Sequence, residues 1–347
     1  MSESTNYYDI MKKMIFLRMA TIVILMAACA KSEENGLPCE VAQEGVSVSV
    51  RFDDAITKSS TMGYVTALEE EQIVKRIDVL VFDKETKNLN SIRSVSSLND
   101  SCRFTLPVGE KIIYAVVNGP DLSDVNNIAA LNDLTDNLAN RKMSDDGLAL
   151  MGCEECNVVK GTPIKAVIKV RWLVARVVLH KVTCNLPAQH KSMKIDYVYL
   201  GNAHTMQTFG GTASGMANAG GYEGGDKDKP IGMGNVVGEC PEYMFRNHGA
   251  TINAGDFDET KIHMYCQPNL TPDHTCLYLL TTISGEHYYY RVPLNLGLTA
   301  NSTCSVEVSI TNLGSTMPPV GDYETNKVTS SVLIEGWTSG NSYVAEF

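Results

Sequence analysis

Basic residues are in deficit. The 347-residue chain sets 29 Lys and Arg against 40 Asp and Glu, a formal charge of −11. A surface of that sign repels phosphate backbones, which excludes nucleic acid as a partner class. Catalytic signatures are missing too. There is no H-E-x-x-H and no G-x-S-x-G, and the seven histidines are scattered, with no motif around His180, His190 or His204. The glycine-rich stretch 209–238 lacks the Gly-Lys-Ser/Thr ending of a phosphate loop and reads as surface loops. The acids Glu69, Glu70 and Glu71 precede a strand and read as a solvated face. A glycosidase's two carboxylates leave no local signature, but nothing else points to catalysis. We expect no enzyme, no cofactor and no metal.

Long hydrophobic runs are also lacking. The one apolar run of note, 19–26, falls short of the roughly 20 residues of a membrane span. Its surroundings explain it. Lys12, Lys13 and Arg18 precede it, and Ala27, Ala28 and Cys29 close it. That is a secretory signal ending at a small-residue cleavage site. The start belongs at Met11, because Glu3 and Asp9 would otherwise stand ahead of the basic region. A cysteine directly after the small pair resembles a bacterial lipoprotein box. In that family Cys29 is lipidated, for instance with palmitate, and becomes the first residue of the mature chain. The bland alternative is an ordinary signal peptide with a stray cysteine; the position of Cys29 decides against it. The acidic run 31–35 resembles a surface-export tag and reads equally well as a solvated tether.

An even cysteine framework is missing as well. Of ten cysteines, nine remain once Cys29 is set aside, and an odd count argues against full pairing. Cys102, Cys276 and Cys304 sit in strand-like runs, where a thiol packs as a small hydrophobe. Cys153 and Cys156 form the single C-x-x-C, with no second pair to complete a zinc site. A local disulfide, a metal and plain loop thiols stay open for it.

What is present is β pattern. In 46–52, Val46, Val48, Val50 and Phe52 share one face, and Ser47, Ser49 and Arg51 share the other. Polar 53–63 follows, with Lys58. Stretch 73–83, including Lys75 and Arg76, becomes apolar on both faces and reads as a central strand. A turn at 84–88 follows. Runs 102–106 and 111–117 read as a hairpin around Pro107 and Gly109. Ile128, Leu131, Leu134 and Leu138 step at helical spacing, with Asp124, Asn126 or Asn127 as caps. Stretch 164–179 is one long β-branched run interrupted by Arg171 and Arg176. Further strands fall at 194–200, 262–266, 275–283, 287–294, 303–311, 331–337 and 343–347, with a Pro-Pro break at 317–320. Apolar residues at 44 % and charged residues at 20 % are ordinary for a globular protein. Closely spaced strands with one helix predict a mainly β chain of two β-sandwiches, 59–173 and 174–347, the break lying between Arg171 and Arg176.

The order of these pieces resembles the fimbrillins, the subunits of type V pili. The matching pieces are the box ending at Cys29, VKRIDVLVFD at 74–83, LPVGEKIIYAVVN at 106–118 and LALMG at 148–152. VRWLVARVVL at 170–179, MYCQPN at 264–269, and a closing strand with Trp337 complete the match. The resemblance covers nearly the whole chain. It implies two transthyretin-like sandwiches in series. It also implies export as a lipoprotein to the outer membrane and cell surface, then cleavage by a trypsin-like surface protease after the first strand. Residues 29–58 would then be the tether and removable strand. A C-terminal strand of the next subunit, from 318–347, would fill the vacated groove. In the family's best-known members the cut follows an arginine. Here the loop offers Lys58, and Arg51 lies in the strand itself. Val332, Ile334 and Trp337 mark the donor strand. The partners implied are other fimbrial subunits, the protease and, before cleavage, the membrane. The alternatives are a tip or anchor accessory subunit, or a non-polymerising surface lipoprotein that binds glycan or protein.

Overall fold

The computed structural model describes residues 43–52, 68, 70–98, 100–143, 145–217, 242–270, 275–294, 297–316, 328–336 and 343–345. The leader, Cys29, Lys58, the 317–320 break and Trp337 lie outside them. The first eleven strands are β1 (Gln43–Phe52), β2 (Ile77–Asp83), β3 (Leu89–Val95), β4 (Ser101–Pro107), β5 (Gly109–Val117), β6 (Thr135–Asn137), β7 (Leu150–Val158), β8 (Ile164–Trp172), β9 (Ala175–Cys184), β10 (Ser192–Gly201) and β11 (Ala203–Thr208). Then come β12 (Ala213–Ala217), β13 (Phe245–Asn247), β14 (Thr251–Asn253), β15 (Phe257–Asp258), β16 (Ile262–Cys266), β17 (Cys276–Ile283), β18 (Glu286–Pro293), β19 (Ser302–Ile310), β20 (Val328–Gly336) and β21 (Tyr343–Ala345). One α-helix occurs among the described residues, α1 (Ile128–Asp133). No helix among them is long and apolar enough to cross a membrane.

The first half is one strand path, β3-β2-β5-β7-β8-β1-β4. Only two residue pairs, Leu150↔Trp172 and Met151↔Arg171, join β7 to β8. The path therefore divides there into two limbs. Val79, Val81, Ile113 and Ala115 from one limb and Val46, Val48, Phe104 and Ile168 from the other lie buried in one cluster. The limbs are the layers of a β-sandwich. Strand β2 is buried on both faces: Leu80 and Phe82 turn outward into a second cluster with Val116, Leu122, Val125 and Leu131 of α1. That explains its continuous apolar run.

The second half sets β13-β10-β17-β18 against β15-β9-β19-β20-β21. Val198, Leu200, Leu277 and Leu279 of one sheet and Val177, Leu179, Val306 and Val308 of the other are buried in the main core. Strand β6 of the first half pairs with β11 of the second. The described residues all fall within one compact unit that begins at Gln43.

Several expectations need correction. Runs 102–106 and 111–117 are strands, but they form no hairpin. Strand β4 pairs with β1, while both edges of β5 are taken by β2 and β7. Val108 carries the chain from one layer to the other. The stretch 128–138 is helical only to Asp133. Asn127 caps α1 by accepting from the Ala130 N–H at 2.8 Å, and β6 follows at once. The 164–179 run is two strands separated at Leu173 and Val174. Lys75 and Arg76 precede β2 rather than lying within it, and Lys75 is exposed. Strand β3 went unread because its side chains are mostly exposed. Residues 213–217 of the glycine-rich stretch form a strand on β11. Cys153 and Cys156 are free and sit on β7, not in a loop. Three residues apart on a strand, they point to opposite faces roughly 10 Å apart, too far for a disulfide.

Candidate functional site

The site that the sequence singled out is strand β1 and the slot it fills. Its alternation is realised. Val46, Val48 and Val50 are 1 %, 1 % and 2 % exposed. Arg51 points to solvent, and Ser47 and Ser49 are half-buried. Phe52 is half-buried and stacks on Trp172, with ring centroids 5.9 Å apart. The strand is central. Along one edge it pairs in parallel with β8 from Val46↔Ile164 to Phe52↔Val170. Along the other it pairs antiparallel with β4 from Gln43↔Pro107 to Ser49↔Ser101. Each ladder has seven residue pairs. Burying the three valines is worth roughly 5–9 kcal/mol as an upper bound. An empty slot would expose that apolar face and two unpaired edges, a template for another strand.

The expected donor strand is seated in its own half. Strand β20 pairs antiparallel with β19 at nine positions, Val332 opposite Val306 and Ile334 opposite Cys304. On its other side β21 covers three positions. Lys58 and Trp337 fall outside the described residues.

One polar feature escaped the sequence reading. Glu71 is not on a solvated face; it is fully buried in a 3-10 turn, Glu70–Gln72, just ahead of β2. Its carboxylate accepts two hydrogen bonds from Arg176 Nη1, at 2.9 and 3.0 Å. Tyr265 donates its hydroxyl to Glu71 Oε1 at 2.6 Å. Arg176 Nε donates to Thr303 Oγ1 at 3.1 Å. Arg176, Tyr265 and Thr303 lie on β9, β16 and β19 of the second half. The chain just upstream of β2 is thus clasped to the sheet that carries β20. The signal was Arg176 itself: a charge inside a buried β-branched run needs a buried partner.

Solved structures share this architecture. A candidate cell adhesion protein of Parabacteroides distasonis superposes with a TM-score of 0.60 at 16 % identity, over 86 % of this chain and 98 % of that one. A fimbrillin of Porphyromonas gingivalis superposes with a TM-score of 0.58 at 11 % identity, over 86 % and 98 %. This chain has the fimbrillin fold. A candidate cell adhesion protein of Bacteroides eggerthii shares it too, with a TM-score of 0.58 at 15 % identity over 86 % and 97 % of the two chains. No protein-family model and no curated protein matches the sequence. The fold is thus shared at sequence identities of only 11–16 %.

Proposed function

We propose that the chain is a fimbrial subunit that polymerises by donor-strand exchange and contributes to adhesion at the cell surface. In this reading it is exported as an outer-membrane lipoprotein acylated at Cys29. A trypsin-like surface protease then cuts in the loop after β1, and β1 leaves with residues 29–58. A C-terminal strand of the next subunit enters between β8 and β4. The two halves on either side of residue 173 act as sandwiches in series.

The observation that carries this reading is the position of β1. It is the first described strand, yet it is central in its layer and holds part of the core. A single cut in the segment that follows would sever its covalent link to the rest of the described chain. Arg51 is disfavoured as the site because it is still paired to Lys169 of β8 and proteases need an unpaired stretch, which leaves Lys58 as the candidate. Strand β20 has nine residues, enough to span the seven-pair slot.

Sequencing the N-terminus of the subunit purified from fibres tests the reading. A new terminus at Ser59 is the expected result. A Lys58→Ala, Arg51→Ala double variant should stay monomeric. Normal polymerisation of that variant with residues 29–58 still attached would make β1 a permanent strand and overturn the proposal.

A further inference from the structure

A polar cleft of about 400 Å³ lies at the end of β2 and β5, apart from the β1 slot. Its size falls in the range of about 300–1,000 Å³ typical of small-molecule sites. The floor is built from groups that satisfy one another. Asn118, with a left-handed φ of 51°, accepts from the Lys75 N–H at 2.8 Å and donates to the carbonyls of Ile73 and Leu148. Arg141 donates to Asp136 Oδ1 at 2.6 Å and to the carbonyls of Gly147 and Asn118. Asp136 also accepts from Gln267 Nε2 at 2.7 Å. Gly147 has a φ of +66°, and a Cβ there would sit 2.6 Å from the Ile73 carbonyl oxygen. No other residue type fits that corner of the floor.

The rim is the opposite. The side chains of Lys75, Thr135 and Asn140 make no hydrogen bond or ion pair among the described residues. Asn137 uses only its oxygen, on the Ala139 N–H. Arg76 ties Nε to Asp78 and Nη2 to the carbonyls of Gly119 and Pro120, leaving Nη1 without a hydrogen bond among the described residues. A pre-organised floor thus presents free donors and acceptors at its mouth, the arrangement that binding requires.

We infer that this cleft binds an acidic saccharide, a sugar ring carrying a carboxylate. The lining selects the class. Two amides and a hydroxyl, each able to donate and accept, match the alternating needs of sugar hydroxyls. The Lys75 ammonium answers a single carboxylate, and Arg76, its charge already met by Asp78, adds only a hydrogen-bond donor. A dianion such as phosphate is disfavoured: Lys75, Arg76 and Arg141 are offset by Asp78, Asp136 and Asp146. An apolar ligand finds little beyond Pro120 and Gly119. Every lining residue lies C-terminal to Lys58, so the expected cut removes none of them. The inference does not rest on the polymerisation reading, and its failure would leave that reading intact.

Calorimetric titration of the purified full chain with glucuronic acid, glucose and inorganic phosphate tests it. Glucuronic acid should bind saturably and at least 10-fold more tightly than glucose. Lys75→Gln should erase that preference, and Asn140→Ala should weaken both sugars several-fold. Both positions are exposed, so thermal unfolding should be unchanged and a loss of binding would not reflect misfolding. The inference is overturned by absence of saturable binding, by equal affinity for the two sugars, by tighter binding of phosphate, or by undiminished glucuronate binding in the Lys75→Gln, Asn140→Ala double variant.

Discussion

Strands β1 and β20 hold comparable positions near opposite ends of the described chain, and they are held differently. Strand β1 is laddered on both edges, seven pairs on each, and its valine face is core. Strand β20 has nine pairs on one edge and three on the other. Taking β1 away opens two edges and the interior. Taking β20 away opens essentially one, that of β19. A strand enclosed on both sides does not leave by fluctuation; its release needs a broken chain and a replacement. A strand with one lightly covered edge can peel off while still attached. On the donor-strand reading proposed above, this asymmetry favours the cut at the first strand and the swing at the last.

The largest expected effect breaks the enclosed member of the pair. Deleting residues 43–52 should remove roughly 5–9 kcal/mol of apolar burial, comparable to the whole stability of a typical domain. We predict an insoluble or molten chain. A synthetic peptide of residues 43–52 added during refolding should restore cooperative unfolding by circular dichroism. A deletion variant that unfolds cooperatively without peptide would show that the slot does not need a strand.

The next effect concerns what stays behind when β1 goes. Glu71 lies downstream of the expected cut and clasps the chain to Arg176, both 0 % exposed. Glu71→Leu leaves a buried guanidinium without its carboxylate and should cost about 3–5 kcal/mol in urea unfolding. Glu71→Leu combined with Arg176→Met should recover most of the loss, because no charge is then stranded. If the double variant is as unstable as the single, the clasp contributes through packing and not through charge.

How much of this was legible follows from the same contrast. Strand β1 could be read because Val46, Val48 and Val50 alternate with Ser47, Ser49 and Arg51, and a half-buried strand imposes that period. The partners of β4 and β5 could not. Alternation tells which face is buried but not which strand lies alongside, and a single residue, Val108, served to cross layers. Arg176 signalled a buried partner, but Glu71 could not be picked out as that partner, because the two are 105 residues apart and three adjacent glutamates look like solvent-facing charge. Strand β3 shows the reverse failure: Ile92 is 39 % exposed, so burial never stamped a period on it. The polar cleft was unreadable for a related reason. Its lining residues come from three separate stretches, 75–76, 118–120 and 135–146, and carry no common spacing.

A smaller effect tests the other strand. Truncation after residue 327 removes β20 and β21 but leaves β9 and β19 paired. We predict a folded monomer, destabilised less than by loss of the clasp. Because β20 is gone, this chain should accept a strand but donate none, and should cap growing fibres when mixed with intact subunits. Fibre lengths by electron microscopy check it. Continued elongation past truncated subunits would remove β20 from the donor role.

The smallest effect uses pH to separate the two halves. His263 is on β16, in the sheet of β20. Burial, reinforced by Arg176 and Arg246 nearby, pulls its pKa from 6.5 down to about 4. In the unfolded chain it takes up a proton as pH falls through about 6.5; in the fold it resists until about 4. Between those values the unfolded state binds more protons, so the contribution to stability is whole above pH 6.5 and is lost as pH drops toward 4. Asp83 stands at the end of β2, in the other half. Its hydrogen bond to Lys111 holds its pKa at about 2 against 3.8. Its contribution is whole above pH 3.8 and is lost only as pH falls from there toward 2. The windows do not overlap. Acidification to pH 5 should therefore loosen the β19–β20 ladder before the β1–β8 ladder. Hydrogen exchange, corrected for intrinsic rates, should show β19 amides losing protection between pH 7 and pH 5 while β8 amides keep theirs. His263→Gln has no proton to gain and should flatten the β19 response. Equal loss of protection in both ladders, or an unchanged β19 response in His263→Gln, would mean that the two halves open as one and that the asymmetry between β1 and β20 does not extend to their sheets.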